Sequence, residues 1–201
     1  MAFAFRSANK DPDTRALKRL GEAVRARLAA DPQVYQMPVE GLELYGVGGF
    51  FSPAECDRLI AIVDTVARPS PTYHNNGDSG RTSFSGDVDP RDPFIRMIQR
   101  RIDDLLGIAP ELGETIQGQR YSVGQQFRNH FDYFLPSQDF WQDEQRRGGQ
   151  RSWTAMAYLN AVEAGGETAF PRLEMAVPPQ AGALLIWNNM GLDGRPNPQA
   201  L

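Results

Sequence analysis

A chain of 201 residues, 41% hydrophobic and 23% charged, has the make-up of one globular domain with a sizeable core, and its net charge of -4 argues against a nucleic-acid partner. The single cysteine, Cys56, excludes an internal disulfide and a multi-cysteine zinc site, and its neighbours Leu59, Ile60 and Val63 mark it as a packed core thiol. The longest apolar runs, such as residues 182–187, are too short to span a bilayer, and no signal-peptide core follows Met1; a cytoplasmic, soluble protein without a membrane partner is expected.

Residues 1–10 carry no periodic signal. From Asp13, the recurrence of Leu17, Leu20, Val24 and Leu28 among charged residues predicts an amphipathic helix ending near Asp31-Pro32. A strand is expected over 42–45, with Gly46, Gly48 and Gly49 as its turn. Ser52-Pro53-Ala54-Glu55 reads as an N-cap, a first-turn proline and a capping-box glutamate, opening a helix to about Ala67. Residues 68–80, rich in Pro, Asn and Gly, predict a long loop, followed by a strand over 81–85. A second long helix is expected from Asp89-Pro90 to Gly107, with Ile95, Ile98, Ile102 and Leu106 on one face. Beyond Gly113 the pattern changes to short strands over 115–122, 126–133, 152–160, 167–170, 176–178 and 183–188, interrupted by a polar insertion at 135–150 that reads as exposed. Helices first and short strands after predict an α+β fold, a helical layer on an antiparallel sandwich or jelly roll.

The stretch with chemistry is 119–134. In an extended strand, side chains two apart share a face, so His130 and Asp132 project together as a pair of metal ligands. One imidazole and one carboxylate are two thirds of the two-histidine, one-carboxylate triad that holds non-haem Fe(II). A third ligand would have to be another histidine, and the only other one, His74, lies in the Pro/Asn/Gly loop and reads as a surface residue. On the strand over 152–160, Thr154, Met156 and Tyr158 share a face.

Taken in order, Arg81-Thr82-Ser83, Arg120-Tyr121, His130-Phe131-Asp132, Arg151, the Tyr158-Leu159-Asn160 segment, Gly165-Gly166 and the strand ending at Trp187 resemble the prolyl 4-hydroxylase family of Fe(II)- and 2-oxoglutarate-dependent dioxygenases. The resemblance runs from about Gly49 to the end. It implies a double-stranded β-helix (a cupin-like jelly roll) over 49–201, with residues 1–48 as a helical extension and first strand packed on one sheet. It implies His130 and Asp132 as iron ligands and catalytic residues, Tyr121, Tyr158 and Thr154 as 2-oxoglutarate contacts, and Arg151, Phe127 and Arg81 on the substrate side. The loop before Arg81 corresponds to a cover over the site. The implied cofactors are Fe(II), 2-oxoglutarate as co-substrate, O2, and ascorbate as reductant.

The implied reaction is hydroxylation of a prolyl residue in a peptide or protein, with decarboxylation of 2-oxoglutarate to succinate and CO2. In the family, a segment like 187–198 leads on to a His-x-Gly bearing the distal iron ligand, and then to a basic residue that pairs with 2-oxoglutarate. This chain stops at Leu201, where that histidine is due, so the expectation is a fragment whose reading frame continues with it and with a last strand. The alternatives are an oxygenase acting on a free amino acid or other small molecule, and a non-catalytic binding domain of the same fold. A zinc hydrolase is disfavoured because no His/Cys cluster completes a tetrahedral site.

Overall fold

The structure is a computed structural model that describes residues 11–70 and 80–201. His74 and the middle of the expected loop lie outside the described residues. The first helix, α1 (Thr14–Ala30), starts where Asp13 accepts hydrogen bonds from the backbone N–H groups of Arg15 and Ala16, and it buries Val24 and Leu28. It stops at Asp31, as a following proline requires. Two strands follow, β1 (Tyr35–Gln36) and β2 (Leu44–Val47). Gly46 therefore lies within a strand, paired with Tyr35 on one side and Leu185 on the other, and not in the expected turn.

The helix α2 (Pro53–Val66) carries the capping box legible in the sequence. The Ser52 N–H donates to Glu55 Oε2 at 2.8 Å, and the Glu55 N–H donates to Ser52 Oγ at 3.3 Å. The bond from the Ser52 backbone is the main reason that the Glu55 carboxyl sits below the ordinary glutamate range. A lowered folded pKa stabilises fully above the unfolded value of about 4.3 and is lost as pH falls through the folded one. Ser52→Ala is expected to cost about 1 kcal/mol at neutral pH by urea unfolding. Glu55→Gln should flatten the loss of stability on acidification.

Next come β3 (Arg68–Pro69), β4 (Phe84–Asp87) and α3 (Pro93–Leu106). The sequence offers two Asp-Pro starts for α3, and the second wins: Asp92 accepts from the N–H groups of Phe94 and Ile95, while Asp89 is engaged by Arg91. Gly107, at φ +68°, ends the helix in the left-handed conformation.

The remainder comprises β5 (Gln117–Arg120), the short helix α4 (Trp141–Arg147), β6 (Trp153–Ala157), β7 (Thr168–Phe170), β8 (Met175–Val177) and β9 (Leu184–Asn188). The stretch around α4 is not wholly exposed, because Trp141 is buried. All strand pairs are antiparallel, in sheets ordered β1-β2-β9-β6, β3-β4-β5 and β7-β8.

Every residue of β9 is buried, which marks a central strand covered on both faces. Leu184 and Ile186 pack with Val24, Leu28, Leu59, Val63 and Ile98 of the helices. Leu185 and Trp187 face the other way, onto Leu44, Phe170 and Met175. Gly118 of β5 lets that sheet lie against α2, since a Cβ there would come within 2.2 Å of Val63.

The largest departure from expectation is the segment 126–133, which is not a strand. Its only ladder contact is the isolated bridge between Arg81 and Phe127. A turn closed by the Gln125 N–H on the Ser122 carbonyl precedes it, with Gly124 at φ +81°. Beyond the Arg128 N–H, which still donates to the Gly80 carbonyl, side chains take up the carbonyls of Arg128 and Asp132.

Candidate metal centre and active site

The irregular segment 126–133 is held between two sheets. On one side Phe127 bridges Arg81 just before β4, and on the other the carboxylate of Asp132 meets β6. The His130 Nδ1–H donates to the carbonyl of Arg128, 2.8 Å away, which curls the chain back on itself. In the neutral ring that bond puts the proton on Nδ1, so Nε2 is the nitrogen that would take a metal in place of its contact with Asp132. Nε2 lies 3.2 Å from Asp132 Oδ1. The ligand pair is therefore brought together by a local turn and not by strand alternation.

Burial acts to lower the His130 pKa, but the bonds to Asp132 and to the Arg128 carbonyl outweigh it, and the net direction is up. Burial likewise acts to raise that of Asp132, and the hydrogen bonds from His130 and Thr154 overcome it, so the carboxyl is held below its ordinary range. The carboxylate is ionised at neutral pH, as a ligand must be.

The flank of His130 is a stack of three predicted site residues. The Phe127 ring lies parallel to the imidazole with centroids 3.7 Å apart, and the Arg81 guanidinium covers the same phenyl ring at 4.6 Å. Arg81 is itself held by Ser83 Oγ, which accepts from Nε at 2.9 Å. Arg151 is anchored through both arms to Glu114, at 2.6 Å each, lies over the Phe134 ring, and donates to the Asp132 carbonyl at 3.2 Å. Arg151 thus supports the backbone of the ligand segment, and Glu114 is the partner that sequence reasoning missed.

Thr154 points its hydroxyl at Asp132 Oδ2, 2.6 Å away, so its observed partner is the carboxylate of the candidate ligand. The Tyr121 hydroxyl donates to Gln119 Oε1 at 2.8 Å, and 45% of the residue is exposed. The Tyr158 hydroxyl is taken up elsewhere, by Thr168 Oγ1 at 2.7 Å and the carbonyl of Val177. Asn189, buried just after β9, donates to Thr154 Oγ1 and was also missed. The signal for it was present: the amide pair Asn188-Asn189 after the apolar run 183–187 has to find partners inside the protein.

The donor set suits a divalent ion that takes nitrogen and oxygen. Two donors at about 2.1 Å from such an ion and at right angles to each other stand about 3 Å apart, and His130 Nε2 and Asp132 Oδ1 meet that requirement. Among the described residues no third His, Cys, Asp or Glu stands with them.

Comparison with known proteins agrees with this geometry. Residues 116–193, which contain both ligands, Arg151, Thr154 and Asn189, match the model of the 2OG-Fe(II) oxygenase superfamily. Prolyl 4-hydroxylase 2 of Arabidopsis thaliana is 30% identical over 180 residues, covering 76% of this chain and 58% of that protein. Probable prolyl 4-hydroxylase 10 of the same plant is 39% identical over 156 residues, covering 73% and 50%. The viral collagen prolyl hydroxylase vCPH of Paramecium Bursaria Chlorella virus-1, solved as its 2OG complex, superposes with a TM-score of 0.60 at 25% identity, covering 82% of this chain and 88% of that one.

The fold is that of an α+β jelly roll like the solved prolyl hydroxylase, and residues 116–193 are similar to the 2OG-Fe(II) oxygenase superfamily. Within that class, the relatives the chain resembles are prolyl 4-hydroxylases. It spans 42–59% of the length of the curated relatives it matches. The matched superfamily implies Fe(II), 2-oxoglutarate and O2 as reacting partners.

Proposed function

We propose that this chain hydroxylates a prolyl residue in a peptide or protein, consuming 2-oxoglutarate and O2 and releasing succinate and CO2. The observation that carries this reading is the convergence of His130 Nε2 and Asp132 Oδ1 inside the segment that matches the oxygenase family. The metal, when bound, supplies the activation of O2, with 2-oxoglutarate giving up two electrons and CO2 so that one oxygen atom enters the substrate C–H bond and the other leaves in succinate.

The chain's own residues hold and shield that chemistry. His130 and Asp132 hold the ion; Phe127, capped by Arg81, fixes the plane of the imidazole. Arg151 and Glu114 steady the backbone of Asp132. Among the described residues, which do not include His74, no third protein ligand stands with this pair.

A peptide is favoured over a free amino acid because the site opens at the surface: the His130 side chain is 42% exposed, and the same segment carries the stacked rings of Phe131 and Tyr133. An extended proline-rich segment, with its preformed backbone, suits such an aromatic platform. We include ascorbate as the reductant that sustains repeated turnover.

The test is to incubate the chain with Fe(II), 2-oxoglutarate, ascorbate and either a proline-rich peptide or free proline, and to measure succinate together with product mass. One succinate per added oxygen atom on the peptide is expected. Coupled oxidation of free proline alone would move the substrate to small molecules, and peptide binding without any succinate would identify a binding domain.

A further inference from the structure

We propose that Asn189 is a positioning residue that, through Thr154, presents Asp132 to the metal by one oxygen only; the inference rests on the metal-centre reading above. Asn189 has no exposed surface, and its backbone is pinned across β6 by its N–H to the Ser152 carbonyl at 2.7 Å. A buried amide is costly unless each of its groups is engaged.

The identity of its neighbours fixes the direction of every bond. An indole N–H can only donate, so the Asn189 atom 3.0 Å from Trp187 Nε1 is the oxygen. The amide nitrogen therefore faces Thr154 Oγ1, at 2.9 Å, and it too can only donate. The Thr154 oxygen is thereby made the acceptor, and its one hydrogen is left for Asp132 Oδ2 at 2.6 Å. The chain of donors runs one way, from Trp187 through Asn189 and Thr154 to the carboxylate.

The consequence lies at Asp132. Oδ2 is occupied by a short hydrogen bond to a charged acceptor, while Oδ1 is the oxygen that stands beside His130 Nε2. A carboxylate held in this way gives the ion one oxygen, and the position that a second oxygen would take stays open for co-substrate. Without Asn189 the Thr154 hydroxyl is free to turn and serve another acceptor.

The test uses Co(II) as the probe, added to the 201-residue chain, its Thr154→Val, Thr154→Ser and Asn189→Leu variants and the Thr154→Val/Asn189→Leu pair, with His130→Ala as control. Affinity is read from visible absorption, and coordination mode from the splitting of the aspartate carboxylate stretches in infrared difference spectra. Thr154→Val and Asn189→Leu are each expected to weaken Co(II) binding about tenfold or more and to narrow the splitting, as a second oxygen binds. Thr154→Ser should restore both readouts, and the double variant should be no worse than either single one, because the two residues act in series. If Asn189→Leu does not fold, Asn189→Ala takes its place in the comparison.

Unchanged affinity and splitting in Thr154→Val or in the Asn189 variant, with binding still dependent on His130, would overturn the relay and leave the metal centre standing. Absence of any His130-dependent Co(II) binding in the parent chain would remove the metal centre itself, and the relay with it.

Discussion

His130→Ala is expected to lower the Fe(II) affinity of the chain by at least about 100-fold, the upper end of what losing only a supporting residue costs. The side chain is 42% exposed and contributes little to the core, so the unfolding midpoint should move little. The variant should also raise the pKa of Asp132, whose ionised form loses its strongest opposing influence to burial while Thr154 remains. Anaerobic Fe(II) titration and urea unfolding, run side by side, check both halves. Equal metal affinity in the variant would mean that the metal is held somewhere else.

Ile186→Ala is expected to have the largest effect on stability, about 2–5 kcal/mol by urea unfolding, as for other fully enclosed aliphatic residues. Ile186 has no exposed surface and sits in the central strand, paired with Tyr45 of β2 on one side and Ala155 of β6 on the other. Its face of β9 is packed by α1, α2 and α3, which have little freedom to close the cavity. The site should suffer as well, because Thr154 and Asn189 are placed by the β6-β9 ladder. A loss below about 1 kcal/mol would show that β9 is not the strand around which the core is organised.

The three long helices were legible because periodicity and caps agree in each, and the exception is instructive. At α3 the sequence contains two equivalent Asp-Pro starts, and only the structure shows Asp89 engaged by Arg91 while Asp92 caps the helix. The small strands β1 and β3 carry two residues each, too few to show any alternation. Gly46 resembled a turn because a strand glycine and a turn glycine look alike until the partner strand is known.

At the site, the juxtaposition of His130 and Asp132 was legible and its geometry was not. Residues 126–133 alternate as a strand would, yet the His130 Nδ1–H bond to the Arg128 carbonyl bends them, a side-chain preference that hydrophobic patterning does not register. Phe127 and Arg81, expected on the substrate side, stack on the flank of His130. Arg151 was visible in the sequence, but its bidentate partner Glu114 lies 37 positions away and no local rule connects them. Thr154 was expected near the pocket because it shares a face with Tyr158; the structure separates their partners, giving Thr154 to Asp132 and Tyr158 to Thr168.

The central claim is that His130 and Asp132 form a metal centre that takes up 2-oxoglutarate. The most direct measurement is an anaerobic titration of the chain with Fe(II) and 2-oxoglutarate, following the visible charge-transfer band of an oxo acid chelated to ferrous iron. A band that requires both additions and vanishes in His130→Ala is the predicted result; no band with the folded chain at saturating Fe(II), or a band that persists in His130→Ala, would contradict it.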